Sequence, residues 1–400
     1  MKRESRWFTL FLASMTMLTS VSIDMSLPAV PRIETVFGVV AGHGALTLSV
    51  FLAGYAVTPL IGGPLADRFG RRPVFLIAIA LFSLFSFGCA VATGFRFLLV
   101  FRLLQGCVSG IVVALPLAIV RDLFEGHAAR QRVSEITLIN GIMPIVAPLF
   151  GAAVMPVGGW RAIFVVQGVF AALVGLFAVF EFEESKAREA HERFRVGQIV
   201  RNYALVFSNR TFVTFAFIYA LNFACIFSFV STSPLVLMER MQISRSSYTL
   251  MFGATLVGTV LGSSASGAFS KRRYSIRKTI FHGLVVMTAA SGIAMVLQMA
   301  KVRSPLALLV PTFVVFFCFG LTSPILTLEA LGPFPRLAGS GSGAIRALQM
   351  GVGSIASSGL AILCALPMVD PGLLTTITMT AATAVGLLLF AGFARKHPAH

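Results

Sequence analysis

Gly62-Gly63-Pro64-Leu65-Ala66-Asp67-Arg68-Phe69-Gly70-Arg71-Arg72 is a short charged loop between two long apolar runs, at about 45–65 and 74–94. A run of about 20 apolar residues can cross a bilayer as a helix, so a loop of this kind reads as a turn at a membrane surface. Working outward with the same window predicts twelve spans: about 7–30, 45–65, 74–94, 96–120, 134–157, 160–180, 211–237, 247–269, 277–299, 304–329, 340–366 and 371–394. Most connections are short, and Gly158-Gly159 and Asp370-Pro371-Gly372 carry turn chemistry. The stretch 181–210 is different, with Glu181, Glu183, Glu184, Lys186, Arg188, Glu189, Glu192, Arg193 and Arg195. It divides the spans six and six. The expected fold is therefore an all-α integral membrane protein of twelve transmembrane helices in two pseudo-symmetric six-helix bundles, 1–180 and 211–400, joined by a cytoplasmic linker at 181–210.

Composition agrees. Of 400 residues 57% are hydrophobic and only 12% charged, about half the ~25% of soluble domains, with a mean hydropathy of +0.89. That argues against a cytosolic enzyme. The chain has 32 Lys and Arg against 15 Asp and Glu, a net charge of +17 that in a soluble protein would suggest nucleic acid. The placement of the bases says otherwise. With the N-terminus inside, 23 fall on inner segments and seven on outer ones, while Arg102 and Arg346 lie within spans. Such a bias places both termini in the cytoplasm, against the anionic inner leaflet, and removes the need for a nucleic-acid partner. The basic start and apolar run of the first span also fit a secretory signal. No small-x-small cleavage site ends the run, so it reads as a retained helix. The five cysteines form no CxxC and the six histidines do not cluster, which gives no support to a disulfide framework or a metal site. No GxxxxGK[ST] occurs, so the chain carries no signal of its own for driving transport with ATP.

The two halves resemble each other. Shifted by 200 residues, Gly62–Arg72 falls on Gly262–Arg272, aligning glycine, phenylalanine and the closing basic pair. Shifted by 210, Phe124 falls on Phe334 and Gly141 on Gly351; shifted by 206, Pro28 falls on Pro234. An ordered series of this kind is the signature of a duplicated transporter. The chemistry is not duplicated: Asp24 maps to Val230, Asp67 to Gly267, and Pro144 and Pro148 to Ser354 and Ser358.

Ionisable residues inside spans are costly, by about 2.5–3.5 kcal/mol at a helix centre on insertion scales, and are functional candidates by default. Asp24 and Arg102 each lie about 9 Å below the expected outer surface, so they can pair or compete for one site. Desolvation favours a protonated carboxyl and a guanidinium an ionised one, so a carboxylate so placed can carry a proton. Gln105 lies one turn from Arg102 on the same face. With Asn140 and Asn222 these residues form the candidate substrate cavity. Phe-rich stretches at 223–229 and 313–319 offer aromatic walls. Asp67 among Gly63, Arg68, Gly70, Arg71 and Arg72, with Arg121 and Asp122 at the end of span 4 as partners, forms a candidate inner gate. In span 5, Pro144, Pro148 and Gly151 predict a bend or a tight helix contact. Arg346 and Gln349 in span 11, and Gln167 in span 6, are further polar candidates.

These residues resemble the major facilitator superfamily. Gly63–Arg72 is a near-complete match to that superfamily's loop signature between helices 2 and 3. Arg102-Leu103-Leu104-Gln105-Gly106 resembles the RxxQG signature of its drug/proton antiporters, and Ala147-Pro148-Leu149-Phe150-Gly151 their helix 5 motif with alanine for the usual first glycine. Asp24-Met25-Ser26-Leu27-Pro28 resembles the helix 1 signature of the bicyclomycin-resistance (Bcr/CflA) exporters, and Val120–Phe124 and Ser231–Leu237 read like that family too. The resemblance implies a monomeric, non-enzymatic multidrug antiporter of the bacterial inner membrane. It would export small amphipathic drugs by alternating access, with protons as coupling ion and no other cofactor. Asp24 and Arg102 would couple protons, and Gly63, Asp67, Arg68, Gly70, Arg71 and Asp122 would form the gate. The rival substrate reading is a polar metabolite, a sugar or amino acid.

Overall fold

A computed structural model describes residues 6–185, 196–271, 274–302, 304–334, 337–366 and 368–396. Lys186, Arg188, Glu189, Glu192, Arg193 and Arg195 of the expected linker lie outside the described residues. So do Lys2, Arg3, Arg272, Arg273, Arg303 and Arg336 of the basic clusters.

The described chain is helical throughout: α1 (Arg6–Asp24), α2 (Val30–Phe37), α3 (Leu46–Val57), α4 (Pro59–Phe69), α5 (Arg71–Ala90), α6 (Phe95–Leu123), α7 (Gly126–Glu181), α8 (Val196–Ser208), α9 (Arg210–Ser233), α10 (Arg245–Lys271), α11 (Ile276–Met299), α12 (Pro305–Leu331), α13 (Ala338–Cys364) and α14 (Pro371–Lys396). A π-helical turn, Pro234–Arg240, extends α9. Among the described residues ten helices are long and apolar enough to cross a membrane, or eleven if the α3–α4 pair, bent by 47°, is one span. That is fewer than the twelve expected because spans 5 and 6 run together as the 56-residue α7. Its backbone leaves helical geometry at Gly158 and Gly159, the turn residues expected between them. At Gly159 φ is +65°, which glycine adopts without a Cβ penalty.

One further expectation is corrected. The Gly63–Arg72 stretch is not an open loop: Gly63–Phe69 complete α4, Arg71 opens α5, and only Gly70 lies between them. Helix α7 continues through Pro144 and Pro148, and its departures from helical backbone are at the glycine pair.

The chain forms two compact units. The first comprises Met1–Arg32 and Val50–Arg201, the second Ile33–Ser49 and Asn202–His400. In the first unit, Phe11, Phe75, Phe82, Leu115 and Phe182 lie in one apolar cluster spanning α1, α5, α6 and the end of α7. Lipid tails are as apolar as leucine, so helices in a membrane associate by close packing, and small residues carry it. A Cβ at Gly106 on α6 would lie 2.1 Å from the Phe51 carbonyl oxygen on α3, and one at Gly54 on α3 would lie 2.2 Å from that of Leu103. The second unit repeats the device between α10 and α12: a Cβ at Gly320 would meet the Thr259 carbonyl at 2.1 Å, and one at Gly262 that of Phe317 at 1.9 Å.

Within the second unit, the segment 33–49 is held by polar contacts. The buried Glu34 carboxylate accepts from the Gly42 and Gly44 amides at 2.8 and 2.7 Å. The Ser49 and Ser357 hydroxyls lie 2.7 Å apart, and Ser354 donates to the Ser49 carbonyl at 2.8 Å.

Candidate functional site

The first unit gathers the ionisable residues that sequence reading singled out. Asp24 is the last residue of α1, only 9% exposed. The chain breaks there: the Ser26 hydroxyl donates to the Ser22 and Ile23 carbonyls, a 3₁₀ turn follows at Leu27–Ala29 with Pro28 inside it, and α2 resumes at Val30. Pro28 has no amide to continue an α-helical ladder, so Asp24 sits at an interrupted helix rather than in a regular one. Helix α7 closes on this break. A Cβ at Gly151 would lie 2.1 Å from the Met25 carbonyl oxygen, so glycine alone lets the two backbones approach. The predicted tight contact in span 5 is therefore at Gly151, next to Asp24.

Arg102 on α6 is wholly buried. Its Nη1 donates to Gln105 Oε1 at 2.7 Å, and its guanidinium lies 4.7 Å from the Phe51 ring centroid and 5.6 Å from that of Phe164. Ring faces attract a cation through their quadrupole, more strongly where water is excluded. Gln105 Nε2 donates to Ser86 Oγ on α5 at 2.7 Å and to Gln167 Oε1 on α7 at 3.1 Å. Gln167 Nε2 then donates to the Val21 carbonyl of α1 at 3.1 Å. Thr19 and Ser109 hydroxyls, 3.2 Å apart, tie α1 to α6 nearby. The structure turns Arg102 toward Gln105, and its route to the helix of Asp24 runs through two amides. Sequence reading left Gln167 open between helix–helix hydrogen bonding and substrate contact; here it hydrogen-bonds α6 and α1.

A second ionic cluster lies where α4 meets α5. Arg71, 2% exposed, bonds Asp67 through Nη2 at 2.7 Å and Asp122 through Nε at 3.0 Å. Asp122 is thus a partner from the end of α6. Gly70 has φ +95° and ψ 154°, a conformation that disfavours any side chain, and a Cβ there would lie 2.4 Å from Glu184 Oε2. Glu184 caps α5: its two carboxylate oxygens accept the backbone amides of Arg71 and Arg72 at 2.9 and 3.1 Å. The first amides of a helix have no partner within it and carry partial positive charge, which a carboxylate satisfies. Glu184 was read as part of the linker's charge run, and nothing in its spacing marks it as a cap. Arg68 lies over the ring of its neighbour Phe69, at 4.9 Å. Gly63 is helical, and a Cβ there would have nothing within 4 Å.

In the second unit the two predicted aromatic stretches meet. Phe223 on α9 lies 6.5 Å from Phe319 on α12, Tyr219 stacks on Phe319 at 5.9 Å, and Phe227 stacks on Phe223 at 5.5 Å. Asn222 faces α14: it is fully buried, and a Cβ at Gly386 would lie 3.6 Å from its Oδ1. Neither of its amide atoms has a hydrogen-bond partner among the described residues. Arg346 Nη1 reaches Gln349 Oε1 at 3.5 Å. In the first unit Asn140 is half-buried on α7. Among the described residues no group of His, Cys, Asp and Glu is arranged to hold a metal.

The family model for the Major Facilitator Superfamily matches residues 12–358. The chain belongs to the Major Facilitator Superfamily. It is thus a multi-pass membrane transporter and not an enzyme. It is 28% identical over 392 residues to an uncharacterized MFS-type transporter, YdgK, of Bacillus subtilis (strain 168), covering 96% of this chain and 94% of the relative. It is 29% identical over 346 residues to the multidrug resistance protein MdtL of Klebsiella pneumoniae (strain 342), covering 86% and 85%. Among solved structures it superposes on a D-xylose–proton symporter with TM-score 0.76 at 14% identity, covering 96% of this chain and 97% of that one. It also superposes on the nucleoside transporter NupG with TM-score 0.72 at 13% identity, covering 97% and 99%. At those identities the superpositions establish the facilitator fold alone.

Proposed function

We propose that this facilitator is a proton-coupled transporter of a small organic molecule, working by alternating access. Its twelve spans would form two six-helix bundles, with both termini in the cytoplasm of a bacterial inner membrane, and it would act as a monomer. The observation that carries the reading is Asp24, a nearly buried acid at the interrupted end of α1, in the same unit as the wholly buried Arg102. A proton arriving from outside neutralises Asp24 and weakens its hold on the substrate. The carrier then reorients and delivers the proton inside. Gly63, Asp67, Arg68, Gly70, Arg71 and Asp122 act as the inner gate, and Gly151, with Pro144 and Pro148, lets α7 move against the α1 break.

Two substrate classes remain in play, each favoured by its own observation. A polar metabolite is favoured by the amide and hydroxyl groups gathered around Arg102. On this reading Gln105 and Asn140 contact substrate. Amphipathic drugs, exported by a Bcr/CflA-type antiporter, are favoured by the MdtL relatives and by the Tyr219, Phe223 and Phe319 array.

The test uses energised inverted vesicles carrying the protein. Ethidium is the drug probe, and D-xylose and uridine are the polar probes. A probe carried in exchange for protons collapses the pH gradient on addition, and Asp24→Asn abolishes the response while leaving probe–probe counterflow. Proton-coupled transport by Asp24→Asn at the wild-type rate would remove Asp24 as the proton carrier. The probe that responds decides between the substrate classes.

A further inference from the structure

We infer that Gln167 is a positioning residue that couples the Arg102 guanidinium to the end of α1 carrying Asp24. The inference rests on the proton-coupling reading for its purpose, but not for its geometry or its test. Four helices contribute to one chain of hydrogen bonds: Arg102 and Gln105 from α6, Ser86 from α5, Gln167 from α7 and the Val21 carbonyl from α1. All four side chains have no exposed surface.

The direction of the chain is forced. A guanidinium only donates, so Gln105 must present its oxygen to Arg102. Its amide nitrogen then faces Gln167 and must donate, so Gln167 presents its oxygen in turn. That leaves the Gln167 nitrogen needing a carbonyl. Ser86 fits the same polarity: its hydroxyl donates to the Phe82 carbonyl at 2.7 Å, leaving its oxygen to accept from Gln105. Reversing either glutamine would set donor against donor in a site without exposed surface. The arrangement therefore has one internally consistent state while the guanidinium stays in place.

The terminus of this chain is what makes it more than packing. Val21 belongs to the last four residues of α1, whose carbonyls have no partner within the helix. Ser26 takes the carbonyls of Ser22 and Ile23, and Gln167 takes that of Val21. Gln167 thus supplies, from α7, part of the C-terminal cap of the helix that ends on Asp24. Val21 and Asp24 are three residues apart, on one helix face and about 4.5 Å along its axis. When a substrate group draws the guanidinium away from Gln105, the relay loses its polarity and the cap on α1 is released. When the α1 end moves, the pull runs back to Arg102. Displacement of Arg102 and mobility of the Asp24 helix end become one event.

Hydrogen–deuterium exchange of the α1 end, residues 22–29, in detergent-purified full-length protein tests this without any substrate. Gln167→Leu, Gln105→Leu and Arg102→Met should each speed exchange there at least threefold. The Gln167→Leu/Arg102→Met double variant should be no faster than the faster single. Gln167→Met fills a similar volume with neither an acceptor for Gln105 nor a donor to Val21; it should match Gln167→Leu and serves as the second reading if Leu impairs folding. Exchange at 22–29 unchanged in Arg102→Met or in Gln105→Leu would overturn the coupling. Additive effects in the double variant would do the same, because local packing of Gln167 predicts additivity. Failure of proton coupling in vesicles leaves these exchange results untouched, so the two ideas fail separately.

Discussion

Two arginines of the first unit are both nearly inaccessible to solvent, yet they are held in different ways. Arg71 is clamped by two carboxylates, Asp67 and Asp122, on two helices. Arg102 is met by an amide oxygen and two ring faces. A carboxylate contact is charge-assisted and roughly twice as strong as a neutral one. It suits a residue that locks helix ends together. Neutral contacts can be exchanged for a ligand or a nearby acid at smaller cost, which suits a residue that must change partners. The position of the two side chains follows the same division, Arg71 at a helix junction and Arg102 within α6.

Five substitutions test that contrast. The largest loss is expected for Arg71→Leu, which strands two carboxylates: about 3 kcal/mol by denaturant titration, the low end for a broken buried pair. It stays at the low end because Asp67 is 36% and Asp122 18% exposed at the side chain, so water takes up part of the charge. A loss below about 1 kcal/mol would end the view of Arg71 as a lock. Next comes Gly151→Ala, which pushes a methyl into the Met25 carbonyl. It should cost about 1–3 kcal/mol as overpacking. Gly141→Ala, on the same helix with nothing within 4 Å of its Cβ, should be neutral or slightly stabilising. Equal effects at both positions would show that glycine packing on the α1 break is unimportant.

Arg102→Met should cost less than Arg71→Leu, about 1–2 kcal/mol for the stranded Gln105 oxygen, while abolishing gradient-driven transport. If instead it unfolds the protein and Arg71→Leu does not, the contrast is inverted. The smallest effect is expected for Glu184→Gln, which removes the charge at the start of α5 and leaves one acceptor for two amides, about 1 kcal/mol in a thermal-unfolding series. High salt should shrink that difference if the helix-end charge is responsible.

Much of this was legible in the sequence because its determinants are local. Apolar run length marks the membrane helices, Gly158-Gly159 marks their division within α7, and Asp24 and Arg102 stand out because charge is rare in apolar runs. Asp67, Arg71 and Asp122 could be proposed as a group because their charges complement one another. The glutamines were less legible. Gln105 and Gln167 are 62 residues apart, and a neutral amide has no long-range field to betray its partner. Glu184 was hidden in a run of like residues, and its role depends on where the amides of Arg71 and Arg72 point.

The sequence by itself determined an all-helical membrane chain, its duplicated pattern and the identity of its buried charges, since hydropathy and residue type are properties of each position alone. Tertiary structure decided which neighbour each polar group meets. It turned an expected loop into two helices hinged at Gly70, placed Gly151 on the Met25 carbonyl, and ran Arg102 to α1 through two amides. Hydrogen bonds act only over about 3 Å and depend on direction, so their pairing is fixed only once the helices are packed.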